Sequence, residues 1–231
     1  MIEILFMVAV VWAIAVGYTF GITFIRKHHN YLLGLEWMIV ATSCTNFMVF
    51  AAIKAGHDSP MYTFASFLDA FSRSFGITLI LVLGLLQVTH RYTPSLAVEI
   101  GAFALAAVGG FVFLGYHESS YKLAAEIFLI TANVLASCFV VYFCKRLWDM
   151  GERKHAAWAG IATLFGFFIA ITYDFFPIPE ADMVDRPVFY TLALATWGLQ
   201  MFTYYRAYTA FDAHNKRADA ATGRLTNGVH A

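Results

Sequence analysis

The chain has 231 residues, of which 60% are hydrophobic and 17% aromatic, and its mean hydropathy is +0.66. Its 15 basic residues balance 15 acidic ones, so there is no excess of positive charge for nucleic acid to recognise. So apolar a composition points away from a soluble domain and towards an all-α polytopic membrane protein.

A spanning helix needs about 20 mostly apolar residues to cross a hydrocarbon core of about 30 Å. Runs of that length cover Ile4 to Ile25, Tyr31 to Ala55, Met61 to Thr89, Ser95 to Gly115, Tyr121 to Cys144, His155 to Phe176 and Pro187 to Tyr208. The expectation is a seven-transmembrane-helix bundle over residues 1–208, followed by a short cytoplasmic C-terminal tail over 209–231. The alternating short segments of a membrane β-barrel are not seen. The first run lacks a basic flank and exceeds the length of a signal-peptide apolar region, so it reads as a retained helix.

Basic residues cluster on one side of these spans: Arg26, Lys27, Arg91, Lys145, Arg146, Arg153, Lys154, Arg206, Lys216, Arg217 and Arg224. The other side has Lys54, Lys122 and Arg186, with the acidic run Glu180, Asp182 and Asp185. The positive-inside rule places the N-terminus outside and the C-terminus in the cytoplasm. The absence of an Asn-x-Ser/Thr sequon agrees with a bacterial inner membrane.

The first span places Ala13, Gly17 and Gly21 four apart, and the fourth does the same with Ala102, Ala106 and Gly110. Such small-residue faces let helices approach closely, so both spans read as scaffold or as an oligomer contact. Cys44, Cys138 and Cys144 lie within or at the end of spans and read as small packing residues.

Ionisable groups in hydrocarbon are costly and usually face a bundle interior. In the second span these polar positions are Glu36, Thr42, Ser43 and Asn46, with Glu36 placed near the interfacial end. The third carries Ser66, Asp69, Ser72, Arg73 and Gly76, and Asp69 and Arg73 are spaced to pair on one helix face. The fifth aligns Lys122, Glu126, Asn133 and Ser137 in one stripe. The sixth offers Thr163 and Asp174, and the seventh Thr196, Gln200 and Thr203 with Trp197 and Tyr204 close by.

With the spans alternating in direction, Asp69, Arg73, Glu126 and Asp174 fall in the outer half, and Asn46, Asn133 and Gln200 nearer the midplane. The expected site is an outward-facing polar vestibule built from these seven residues, with Arg73 towards its floor. Pro177, Pro179 and the acidic run after them would form its lid.

A transporter or channel for a small polar solute or ion fits best. The alternatives are a sensor or accessory subunit of a larger membrane complex, and an intramembrane enzyme using Asp69, Glu126 and Asp174 as acid and base. The expected partners are the lipid bilayer and either further copies of the chain or a membrane protein complex, with no nucleic acid. The layout of the spans is that of microbial rhodopsins, but the last span has no lysine for a retinal Schiff base. Bis-histidine haem within the membrane is disfavoured too, because His28, His29, His57, His90, His117, His155 and His214 fall outside the spans or at their ends. No cofactor is assigned, and no metal site or catalytic nucleophile is expected.

Overall fold

The computed structural model describes residues 2–54, 56, 58–175 and 186–228, with side chains to residue 222. The expected lid of Pro177, Pro179, Glu180, Asp182 and Asp185 lies outside the described residues, as does His57.

The described residues form long helices and no strand: α1 (Ile2–His28), α2 (Tyr31–Ala52), α3 (Pro60–Thr89), α4 (Leu96–Val112), α5 (Lys122–Asp149), α6 (Arg153–Asp174) and α7 (Pro187–Gly228). Six segments among the described residues are long and apolar enough to cross a membrane: α1, α2, α3, α5, α6 and Leu96–Glu118, which α4 begins. Their large side chains also face outward: Ile4 is 69% exposed, Phe111 70% and Leu135 66%. Water would not tolerate that surface over a whole molecule, whereas lipid does.

Local chemistry sets the helix starts. The side-chain oxygens of Asn30, Ser59 and Ser95 accept hydrogen bonds from the backbone N–H groups of Leu33, Tyr62 and Val98, and Pro60 follows Ser59 at the first helical position. His29, at φ 51°, separates α1 from α2. Gly151, at φ 88°, turns the chain between α5 and α6, where a side chain would be strained.

The helices pack as a ring in which α1, α2, α3, α5, α6 and α7 follow one another and α7 returns to α1; α4 lies outside, against α3. The small-residue faces are the tight seams. A Cβ on Gly17 would stand 2.8 Å from both Ala41 Cβ and the Trp37 carbonyl oxygen, and one on Gly21 would stand 2.7 Å from Met38 Cγ. Gly110 is fitted in the same way against the ring of Phe67 on α3.

Two features depart from the expected helices. A π-helical stretch, Ser72–Ile80, interrupts α3. Hydroxyls compete for backbone carbonyls there: Ser74 Oγ donates to Phe71 O at 3.1 Å and Thr78 Oγ1 to Ser74 O at 2.7 Å. Such wide turns recur at functional sites. The last helix also shows no break near Tyr208, where the span was expected to end, and continues beyond Ala221 to Gly228.

Buried polar contacts fix the end of the bundle where α1 and α3 finish and α2 begins, called here the Asn30 end. The Asn30 side chain donates to Gly84 O at 2.8 Å and to the Tyr208 hydroxyl at 3.2 Å; that hydroxyl donates to Gln87 Oε1 at 3.0 Å. Asn215 Nδ2 donates to Val88 O at 2.9 Å, and His28 meets Asp212 at 3.0 Å. The lower half of α7 is therefore tied to α1, α2 and α3.

Candidate functional site

At the opposite end of the bundle, an arginine from the π-helical stretch collects partners from three other places in the fold. Arg73 forms an ion pair with Asp174 at the end of α6, donates to the Tyr116 hydroxyl at 2.8 Å, and lies 3.7 Å from Asp69 one turn earlier on α3. Its guanidinium sits 3.8 Å from the centre of the Tyr173 ring. Tyr116 donates to the second carboxylate oxygen of Asp174 at 2.6 Å, and Tyr173 donates to Asp69 at 3.0 Å. The Asp174 side chain is 1% exposed and that of Arg73 11%, so these charges satisfy one another away from solvent.

Arg186, just before α7, extends the cluster. Its guanidinium lies 4.3 Å from the Phe189 ring centre and donates to the Tyr173 carbonyl at 3.3 Å.

A cavity of about 100 Å³ runs inward from this cluster between α2, α3, α5, α6 and α7. Asp69, Arg73 and Tyr173 line one end. Asn133, Ser137 and Gln200 contribute polar groups along its wall, and Thr163 and Tyr204 stand at the other end. The hydroxyls of Thr163 and Tyr204 are 2.9 Å apart, and Gln200 Nε2 donates to Tyr204 at 3.2 Å. One water needs roughly 10–15 Å³ by this kind of measure, so the space holds several waters or a small polar molecule. Trp37 and Trp197 supply apolar wall, and the Trp37 indole is itself satisfied by Met201 O at 3.2 Å.

The seven expected residues divide into groups. Asp69, Arg73, Asn133 and Gln200 share the cavity, and Asp174 is the ion-pair partner of Arg73. Glu126 does not line the cavity; it is buried beside the cluster, 3.8 Å from Lys122 Nζ. Asn46 is turned elsewhere and donates to Met61 O at 3.0 Å, tying α2 to the start of α3.

Sequence reasoning overlooked Tyr116 and Tyr173 altogether. The available signal was Tyr173 directly beside Asp174 at a span end; Tyr116, in a connecting turn, carried none.

His117, Glu126 and Asp174 each offer one ligand atom, all within 4.8 Å of one another. A divalent cation there would compete with Arg73 and Tyr116 for Asp174, and with Lys122 for Glu126.

The reading of Glu36 as a group near interfacial water is overturned. It is fully buried, and among the described residues neither carboxylate oxygen has a well-aligned hydrogen bond, with only the Ser72 hydroxyl beside it. The cause is close packing of α2 on the π-helical stretch, where the carboxyl group fills the notch left by Gly76.

No protein-family model, curated protein or solved structure matches this chain. The functional reading rests on geometry alone.

Proposed function

We propose that this membrane protein moves a small polar solute or ion across the bilayer, with the central cavity as its path. The observation that carries this reading is an unfilled space between five helices, whose largely apolar wall is set with polar groups from Asn133, Ser137, Thr163, Gln200 and Tyr204, and which is capped at one end by the Arg73–Asp174 ion pair. A bundle packed only for stability would fill such a space with apolar side chains, since interhelical hydrogen bonds within membranes average only about 0.6 kcal/mol each.

In this reading the Arg73–Asp174–Tyr116 cluster is the outer gate. It joins α3, the turn after α4, and the end of α6, so separating its partners opens the cavity to one side. The Asn30 end, tied together by Tyr208 and Gln87, is the inner seal. The positive charge near that end supports a cytoplasmic C-terminus and, with it, a seventh span from Pro187 to Tyr208, and the missing Asn-x-Ser/Thr sequon agrees with a bacterial inner membrane.

Reconstitution tests the proposal. Vesicles carrying the protein should pass at least one member of a panel of small neutral polar solutes and monovalent ions faster than empty vesicles. Arg73→Gln should abolish that flux while helical content is retained. Flux that persists in Arg73→Gln would remove the cluster from the path.

One observation favours a second reading, as an accessory or signalling subunit. The 42 residues of α7 extend about 63 Å at 1.5 Å per residue, roughly twice the hydrocarbon thickness. Its polar end is a surface on which a partner could dock. A stoichiometric partner retained on mild solubilisation would support that reading.

A further inference from the structure

Asn30 and Glu36 are both 0% exposed, yet their polar atoms fare differently. The Asn30 oxygen accepts from Leu33 N, and its nitrogen donates to Gly84 O and Tyr208. Among the described residues the Ser72 hydroxyl on the facing helix stands beside the Glu36 carboxyl group, but no well-aligned hydrogen bond reaches either carboxylate oxygen or the Ser72 hydroxyl. An unpartnered polar group buried in this way costs about 1–3 kcal/mol even when neutral, and several kcal/mol when charged. A structural residue at this position would be Gln, Leu or Met.

The surroundings are shaped for a carboxyl group. A Cβ on Gly76 would stand 2.7 Å from the carboxyl carbon of Glu36 and 2.8 Å from one of its oxygens, so a larger residue there would displace the carboxyl group from this position. Gly76 and Ser72 both belong to the π-helical stretch of α3. Ser72 also lines the central cavity, as do Trp37 and Val40, one and four residues after Glu36 on α2. The hydroxyl of Ser72 thus stands between the buried carboxyl group and the polar space.

Among the described residues no charged side chain interacts with Glu36. From α3 it meets Gly76 and Ser72, while Arg73 turns into the cluster with Asp69, Asp174 and Tyr116. From α2 itself it has no ionisable neighbour within a turn, the sequence there being Leu32-Leu33-Gly34-Leu35-Glu36-Trp37-Met38-Ile39-Val40. Two carboxylate oxygens and one hydroxyl are also too few donors for a hard cation such as calcium, which takes about 6–8 oxygens. The occupant that fits this space and donor set is a proton.

We propose that Glu36 is a proton-exchange site, loaded and unloaded from the central cavity through the Ser72 hydroxyl, and that this proton is the ion coupled to transport. The second half of that statement rests on the transport reading; the first half does not. In loading, a cavity water carrying an excess proton gives it to the Ser72 oxygen as the Ser72 hydroxyl proton passes to the Glu36 carboxylate; unloading reverses both hops, so two O–H bonds break, two form, and one net proton is transferred. Opening of the π-helical turn is the motion that brings the two groups into line.

Infrared difference spectroscopy on the full chain in lipid nanodiscs tests the site without requiring transport. Stepping the buffer from acid to alkaline should remove a carbonyl-stretch band of a protonated carboxylic acid in the native protein, and Glu36→Gln should lack that band. Persistence of the whole difference band in Glu36→Gln overturns the proposal. Ser72→Ala guards against a variant that fails to fold: it should retain the band but slow its shift in deuterated buffer by about tenfold, corresponding to about 1.4 kcal/mol. An unchanged exchange rate overturns the Ser72 route.

Coupling is read separately, from a pH-sensitive dye inside proteoliposomes under an imposed potassium diffusion potential. The native protein should admit protons and Glu36→Gln should not. If the infrared band titrates but no proton crosses, the coupling fails while the exchange site stands, and the transport reading is decided separately by the solute and ion panel.

Discussion

Tyr116 and Asp174 are joined through the same guanidinium that each of them contacts. The Tyr116 hydroxyl donates to one oxygen of Asp174 at 2.6 Å and accepts from Arg73 at 2.8 Å, while Arg73 pairs with the other oxygen of Asp174. The three groups form a closed triangle that joins α3, the turn after α4, and the end of α6. A charge pair so held is rigid as long as all three members are present, and loosens as soon as one is lost.

Removing the charge of Asp174 should therefore cost more than removing the hydroxyl of Tyr116. Asp174→Asn leaves Arg73 buried with only the more distant carboxylate of Asp69, and breaking a buried pair in this way costs about 3–5 kcal/mol. Tyr116→Phe removes two hydrogen bonds of a buried group and should cost about 1–3 kcal/mol. Thermal unfolding in detergent should rank the native protein above Tyr116→Phe and Tyr116→Phe above Asp174→Asn. The reverse order of the two variants would show that Asp69 alone suffices for Arg73.

Gly166 provides a test of the cavity wall. A Cβ there would stand 2.7 Å from Gln200 Cδ, so Gly166→Ala must push the Gln200 side chain away from α6. Gln200 would then lose its bond to Tyr204 and move into the polar space. The expected outcome is a transport loss of at least tenfold with a Tm shift of only a few degrees. A variant with native flux would place the path elsewhere.

The Asn30 end should separate buried from exposed polar contacts. Asn30→Ala leaves Gly84 O and Leu33 N without their partners in a fully buried setting, a loss of about 1–3 kcal/mol for each group left unpaired. Arg91 and Asp219 meet at 2.7 Å, but their side chains are 58% and 60% exposed, where such pairs contribute about 0–1 kcal/mol. Arg91→Ala should leave the melting curve nearly unchanged, whereas Asn30→Ala should lower it clearly. Equal effects would mean that α7 is held chiefly by its surface charges.

The helices were legible in the sequence because hydrocarbon thickness sets a length that few other constraints set. The tight seams were legible too, since Ala13, Gly17 and Gly21 announce a close approach by spacing alone. The grouping of Asp69, Arg73, Asn133 and Gln200 along one cavity was readable as well, because position along a helix translates into height within the bundle.

Lateral neighbours were not readable. Nothing in spacing shows that Arg73 meets Tyr116 across the bundle, or that Asn46 turns to Met61 instead of the cavity. The π-helical stretch was hidden for a different reason. Its hydroxyls, Ser74 and Thr78, are also ordinary residues of a membrane helix, and only the wide turn brings Gly76 against Glu36. A helical wheel drawn at one fixed period passes over such a place.

In the transport reading, the space behind Arg73 opens to both sides of the membrane in turn. Ser137 lines that space from α5. In a background where Cys44, Cys138 and Cys144 are replaced by alanine, Ser137→Cys should react with a membrane-impermeant thiol reagent added to either face of sealed vesicles. Arg73→Gln should speed the reaction from the face on which the cluster lies. Labelling from both faces is the predicted result; labelling from one face alone, or from neither, would contradict the account.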